Sequence, residues 1–291
     1  MKEYTGRRIA IFTDAHGLLE PTKSVLEDIS KRGITEIYSL GDNIGVGPNP
    51  SEVLDLLTKY NVKSIAGNSE DYVTLGSSPF MAYFNTLKEQ SRLWTISKLN
   101  EKQIGEIKLF PHSIELLVGG KKLALCHFAN DIRIDFIQNS TWTYQSRIDY
   151  GMEGYNQFMY TNSYEQLKEI ENMIRKYGID NPFVKGYISA KDEPLFARKR
   201  VDFFDAVIEG HVHFKIYEKS SKTDFYSIRA VGMAYGDNPV DTASYVILKE
   251  HNEGFDLEEV LVKYDREKMI SSILSSDSPD YNIRKFVKMK R

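Results

Sequence analysis

Seven residues of types that bind metal ions recur where short apolar runs stop. The run "IAIFTDAHG" ends on Asp14 and, two residues on, His16. "EIYSLGDN" reaches Asp42, "VKSIAGN" reaches Asn68, "KLALCH" reaches His127, and "DAVIEGHVH" reaches His211 and His213. On an extended strand end, residues i and i+2 point to the same side, so Asp14 and His16 are expected to grip one object together. Same-side imidazoles in His-x-His suit a metal in the same way. Taken singly, the pieces have plain structural readings. Gly-Asp-Asn is ordinary turn chemistry, and a lone His127 reads as a partly buried, hydrogen-bonded histidine. The ordered set outweighs its parts, because four of the six histidines fall in it and only His112 and His251 stand elsewhere.

Those residues need elements to gather them. The runs at 7–14, 36–42, 62–68, 122–127, 205–211, 225–231, 244–250 and 258–264 are almost continuously apolar, which predicts strands covered on both faces. Between the first two lies "PTKSVLEDISKRG", where Val25, Leu26 and Ile29 share a helical face, Pro21 suits the first turn and Gly33 the stop. Between the next two lies "NPSEVLDLLTKY", with Asn49 as cap, Pro50 at the first helical position and Glu52 where a capping box wants it. The order β-α-β-α-β predicts an α/β fold, and in open α/β sheets ligands bind at the carboxyl ends of the strands.

Composition bounds the function. With 291 residues, the chain is expected to be a single domain over 1–291 that carries an insertion or cap at 129–200. That segment is rich in aromatics (Trp142, Tyr144, Tyr150, Tyr155, Phe158, Tyr160, Tyr164) and includes the helix-like "SYEQLKEIENMIRKYG". A formal net charge of -3 disfavours a nucleic-acid polymer as partner. The single cysteine, Cys126, forms no intrachain disulfide and fits a cytoplasmic location. No membrane partner is expected, since no apolar run nears a membrane span and the start of the chain lacks a signal-peptide pattern. A homo-oligomer is compatible with the sequence. The C-terminal "SSDSPDYNIRKFVKMKR" is polar and basic and is expected to be partly mobile.

The series D14-x-H16, G41-D42-N43, G67-N68, H127 and G210-H211-V212-H213 resembles the calcineurin-like metallophosphoesterases. The context "LGDNIGVGPNPSEVLDLL" is similar to their bacterial, small phosphodiesterase-like branch. The resemblance covers 7–127 and 205–270. It implies two mixed β-sheets stacked face to face with helices outside. It also implies that Asp14, His16 and His213 hold one metal, that Asn68, His127 and His211 hold a second, and that Asp42 bridges them. Asp42, Asn68 and His127 are then catalytic as well. The expected cofactors are two divalent ions, Mn or Fe first and Zn next, about 3.5–4 Å apart. The implied activity is hydrolysis of a phosphodiester or phosphoanhydride in a small nucleotide-type substrate by a hydroxide bridging the metals. A protein phosphatase and a non-catalytic scaffold are the alternatives on the same fold.

Two departures bear on substrate. Many relatives carry histidine after the Gly-Asn, where it serves the leaving group; here "GNSED" has Ser69, a poor proton donor. That favours leaving groups that depart as stable anions. The same Gly-Asn-x-Glu-Asp pattern resembles a relative that cleaves diadenosine tetraphosphate asymmetrically. Glu70 is expected to accept from a ligand histidine or a loop amide, and Cys126 to point away from the His127 side. The second departure is "AVGMAYG", where relatives often have Asn-Pro-Gly-Ser near the site. In the insertion, the aromatics either stack on a base or build a local core, and Arg147, Lys185, Lys191, Arg198, Lys199 and Arg200 are candidate phosphate contacts.

Overall fold

Alternation along the first strand sets the layers. In β1 (Tyr4–Phe12), Ile9 and Ile11 face one way and Ala10 and Phe12 the other, and all four are fully buried. A strand buried on both faces must lie between two layers. The computed structural model describes residues 2–75, 86–127, 204–211, 213, 215–219, 223–233 and 240–279. The 129–200 segment, its helix-like stretch and basic residues, and the chain beyond 279 lie outside the described residues, as do 234–236 of "AVGMAYG".

After β1 come α1 (Leu19–Lys31), β2 (Glu36–Ser39), α2 (Pro50–Lys59), β3 (Lys63–Ser64) and α3 (Asn68–Leu75). Then follow α4 (Thr86–Ser97), α5 (Glu101–Ile107), β4 (Ser113–Val118), β5 (Lys121–Cys126) and β6 (Ala206–Glu209). The described chain closes with β7 (Ile216–Lys219), β8 (Asp224–Ser227), β9 (Thr242–His251), β10 (Gly254–Lys263) and α6 (Arg266–Ser275). Two five-stranded sheets result, ordered β10-β9-β1-β2-β3 and β4-β5-β6-β8-β7. Both are mixed: β1 runs parallel to β2 and antiparallel to β9, and β5 runs parallel to β6 and antiparallel to β4.

Ile9, Ile11, Leu40, Ile65 and Leu248 of the first sheet meet Leu123, Leu125, Ala206 and Ile208 of the second in one buried cluster. The other face of the first sheet packs on α1, α2, α3, α5 and α6 through a second cluster that includes Phe12, Val25, Leu26, Ile29, Val53, Val73, Ile107 and Ile273. The expected stack of two mixed sheets flanked by helices is therefore what forms. One local expectation fails. Asn49 does cap α2 and Pro50 does open it, but Asn49 makes no side-chain cap bond. Its Oδ1 instead accepts from Ser272 Oγ at 3.1 Å, so the tertiary contact with α6 displaces the capping box.

Candidate metal centre

Every candidate ligand sits just past a strand. Asp14 and His16 follow β1, Asp42 follows β2, Asn68 opens α3 after β3, His127 follows β5, and His211 and His213 follow β6. The pairs at i and i+2 do not arise from extended backbone. Asp14, His16, Asp42, His211 and His213 all have positive φ, from 48° to 66°. Such backbone costs a non-glycine residue about 1–3 kcal/mol, so the loops must be held by other bonds. Asp14 N–H donates to Gly41 O (3.0 Å), His16 N–H to Asp42 O (2.7 Å), and Gly210 N–H to His127 O (3.0 Å). Loop is strapped to loop across the strand ends.

Glycine permits that approach. Gly41 has φ +91°, and a Cβ there would stand 2.5 Å from Gly67 N. A Cβ on Gly210 would collide with the Thr13 hydroxyl and lie 2.9 Å from Asp14 Oδ2. The glycine before Asp42, Asn68 and His211 is thus a space requirement of the neighbouring loop.

The seven predicted residues converge as two groups. In the first, His16 Nε2 and His213 Nε2 are 3.2 Å apart, and Asp14 Oδ1 lies 3.2 Å from His213 Nε2 and 3.7 Å from His16 Nε2. In the second, Asn68 Oδ1 is 3.1 Å from both His127 Nε2 and His211 Nδ1, which are 3.2 Å from each other. Asp42 stands between the groups: Oδ2 is 3.8 Å from His16 Nε2, and Oδ1 is 3.6 Å from His127 Nε2. Asp14, His16 and His213, and likewise Asp14, Asp42 and His127, present ligand atoms close enough to share a cation.

The donor chemistry fits a cation. His127 Nδ1 lies 2.8 Å from Leu40 O, so it carries the proton and donates, which turns the bare Nε2 towards Asp42 and Asn68. Asp14 Oδ2 accepts from Thr13 Oγ (2.8 Å) and from the His211 amide (3.0 Å). Burial pushes the Asp14 carboxyl up, but the charge and hydrogen bond of His213, with His127 and His16, outweigh it and hold Asp14 below the usual carboxylate range. For Asp42, burial raises the carboxyl, the His127 charge opposes, and the Asp14 charge adds to the rise. Among the described residues, no lysine or arginine pairs with Asp14 or Asp42, which are 0% and 2% exposed. Buried acids with no lysine or arginine beside them are the kind of group that a bound cation neutralises.

Behind the candidate ligands lies Glu70, fully buried. Its Oε2 accepts from the amides of Asp42 and Gly67 and its Oε1 from that of Asn43, each at 2.8 Å. Of the two expected partners it takes the loop amides. Burial and the Asp42 charge push it up to about 7 against those bonds. Ser69 donates its amide to Asp42 Oδ1 (2.7 Å), and its hydroxyl packs beside Gly45. Cys126 is buried and absent from the cluster between the sheets that holds Leu123 and Leu125. Val231 N–H donates to Thr13 O (2.9 Å), which brings the start of "AVGMAYG" beside Asp14. Sequence reasoning missed Thr13, whose hydroxyl carries no pattern of its own. It also missed the pair of His112 Nε2 and Asp71 Oδ1 at 3.0 Å, which is distant in sequence. His251, at the end of β9, packs against Tyr4 instead.

The family model of the calcineurin-like phosphoesterase superfamily domain matches residues 8–159, more than half of the chain. The chain belongs to that superfamily. It is 37% identical over 119 residues to the uncharacterized protein MJ0912 of Methanocaldococcus jannaschii, a match that spans 41% of this chain and 48% of that protein. The alignment thus covers about half the length of that curated relative. Among solved structures, hypothetical protein PH1004 of Pyrococcus horikoshii superposes with a TM-score of 0.61 at 13% identity, over 95% of this chain and 96% of that one. A metallophosphoesterase from Sphaerobacter thermophilus superposes with a TM-score of 0.59 at 18% identity, over 96% and 98%. At such identities the likeness is one of fold. Among the described residues, no helix is long and apolar enough to cross a membrane.

Proposed function

We propose that this protein is a phosphoesterase that works with two divalent cations, Mn or Fe by preference, on a small nucleotide-type substrate. Asp14, His16 and His213 hold one cation, Asn68, His127 and His211 hold the other, and Asp42 is shared. The observation that carries this reading is the stance of Asp42, whose Oδ2 faces His16 while its Oδ1 faces His127. When bound, the two cations supply Lewis acidity that activates a water and neutralises charge on the phosphoryl oxygens. The chain's own contribution is to fix the ligands. Thr13 and the His211 amide orient Asp14, Leu40 O fixes the His127 tautomer, and Glu70 holds the Asp42 loop.

Substrate class follows from Ser69. A hydroxyl there gives a departing alkoxide no ready proton, so a phosphoanhydride, whose leaving group is a stable phosphate anion, fits better than an alkyl ester. Dinucleoside polyphosphates are the leading candidates, consistent with the Gly-Asn-x-Glu-Asp pattern at 67–71.

Asp42→Ala is the direct test. Metal content by elemental analysis is expected to fall at both positions, with hydrolysis of bis-p-nitrophenyl phosphate reduced to background. A variant that keeps two metals per chain and a near-normal rate would overturn the shared-carboxylate assignment.

A further inference from the structure

Thr13 is the last residue before the first candidate ligand, and it is fully buried although it is polar. Contacts from two other loops fix it in place. Its carbonyl oxygen accepts from Val231 N–H at 2.9 Å. Its hydroxyl donates to Asp14 Oδ2 at 2.8 Å. Gly210 runs past that hydroxyl so closely that a Cβ there would collide with it. The bare backbone at 210 is what leaves the hydroxyl its place beside the carboxylate.

The two oxygens of Asp14 have unequal surroundings. Oδ2 accepts from Thr13 Oγ and from the His211 amide at 3.0 Å, which fills both of its lone-pair directions. Oδ1 is buried and accepts from no amide or hydroxyl among the described residues. It faces the imidazoles instead, with His213 Nε2 at 3.2 Å and His16 Nε2 at 3.7 Å. One oxygen is thus tied to the protein, and the other is left for a cation. That difference bears on which ion fits. Calcium takes about six to eight oxygen ligands and often both oxygens of a carboxylate. Two imidazoles and a single carboxylate oxygen suit a transition ion instead.

We infer that Thr13 is a positioning residue for metal choice: its hydroxyl holds Asp14 to one-oxygen coordination and so keeps the first cation position selective for transition ions over calcium. The inference rests on the two-cation reading above and deepens it. Without the Thr13 hydroxyl, Oδ2 regains an open lone pair, and the carboxylate can offer both oxygens to a larger ion.

Thr13→Val keeps the shape and removes the donor, whereas Thr13→Ser keeps the donor. The test titrates Mn and Ca separately into the metal-free full chain against a competing chelator dye. Asp14→Ala, run alongside, shows which of the two binding steps belongs to the first position. In Thr13→Val the Mn-over-Ca preference at that step is expected to fall about 10-fold, the low end for losing a hydrogen bond to a metal ligand, with the other step unchanged. Thr13→Ser is expected to match the wild type at both steps. A Thr13→Val protein that keeps the wild-type preference would overturn the inference, as would a wild type that binds Ca as well as Mn at that step. A loss shared equally by Mn and Ca, or one that Thr13→Ser shows as strongly, would also overturn it, because Thr13 would then merely support the strand end. A wild type that binds no Mn would instead sink the two-cation reading itself.

Discussion

Glu70 ties three backbone amides from two loops into one point, and all three bonds are short. A glutamine there keeps the shape but offers only one accepting oxygen. Its amide nitrogen would face a backbone N–H, leaving a buried donor unsatisfied at about 1–3 kcal/mol. Glu70→Gln is therefore expected to lower the unfolding free energy by that amount in urea titration and to weaken retention of metal through gel filtration. Stability equal to wild type would show that the clamp contributes nothing. At this scale, residue identity was legible and backbone geometry was not. Taken as an ordered set at run ends, carboxylate, amide and imidazole types mark Asp14, His16, Asp42, Asn68, His127, His211 and His213, and the fold does bring them together. The positive φ of Asp14, His16, Asp42, His211 and His213 could not be read, because only glycine advertises that conformation. Nor could the His112–Asp71 contact, which joins residues 41 positions apart.

Elements were legible where periodicity is strong and local. β1, α1 and α2 fall where apolar spacing puts them, and Val25, Leu26 and Ile29 are buried as their helical face requires. The third run, expected over 62–68, is a ladder of only two residues, because Gly67 must turn the chain against the Asp42 loop. α5 was passed over although its start carries a capping box, in which Asn100 accepts from the Gln103 amide and Gln103 reaches back. The helix is short, and Gly105 breaks its pattern. Nothing lies within 4 Å of a Cβ built on Gly105, so Gly105→Ala is expected to stabilise by about 0.5–1 kcal/mol in thermal or urea unfolding. The same exchange at Gly41 meets Gly67 N at 2.5 Å in left-handed backbone. Gly41→Ala is expected to destabilise the fold and to lower metal content in the soluble fraction. If both variants behaved alike, loop packing at the strand ends would not be what sets the site.

The whole molecule draws negative charge into its interior at one end of the sandwich. Asp14, Asp42 and Glu70 are all essentially fully buried, and the acids among the seven proposed ligands have only imidazoles as ionic partners among the described residues. Hydrophobic burial in the two clusters must outweigh that repulsion when no cation is bound; with cations bound, the repulsion turns into attraction. Metal should therefore act on stability as a ligand of the folded state, adding RT ln(1 + [L]/Kd), about 2.7 kcal/mol at a hundred times Kd. For a chain of this size each kcal/mol moves Tm by roughly 2–4 °C. Exhaustive chelation and dialysis are expected to lower Tm by roughly 5–10 °C and to abolish hydrolysis of bis-p-nitrophenyl phosphate. Titrating Mn back should raise Tm with the logarithm of free metal, and Asp42→Ala should flatten that rise. A Tm and a rate that ignore chelation would mean that the converging ligands hold no cation in the folded state. Asp14 would then be balanced by its histidine partners alone, and the proposed chemistry would lose its source of nucleophile.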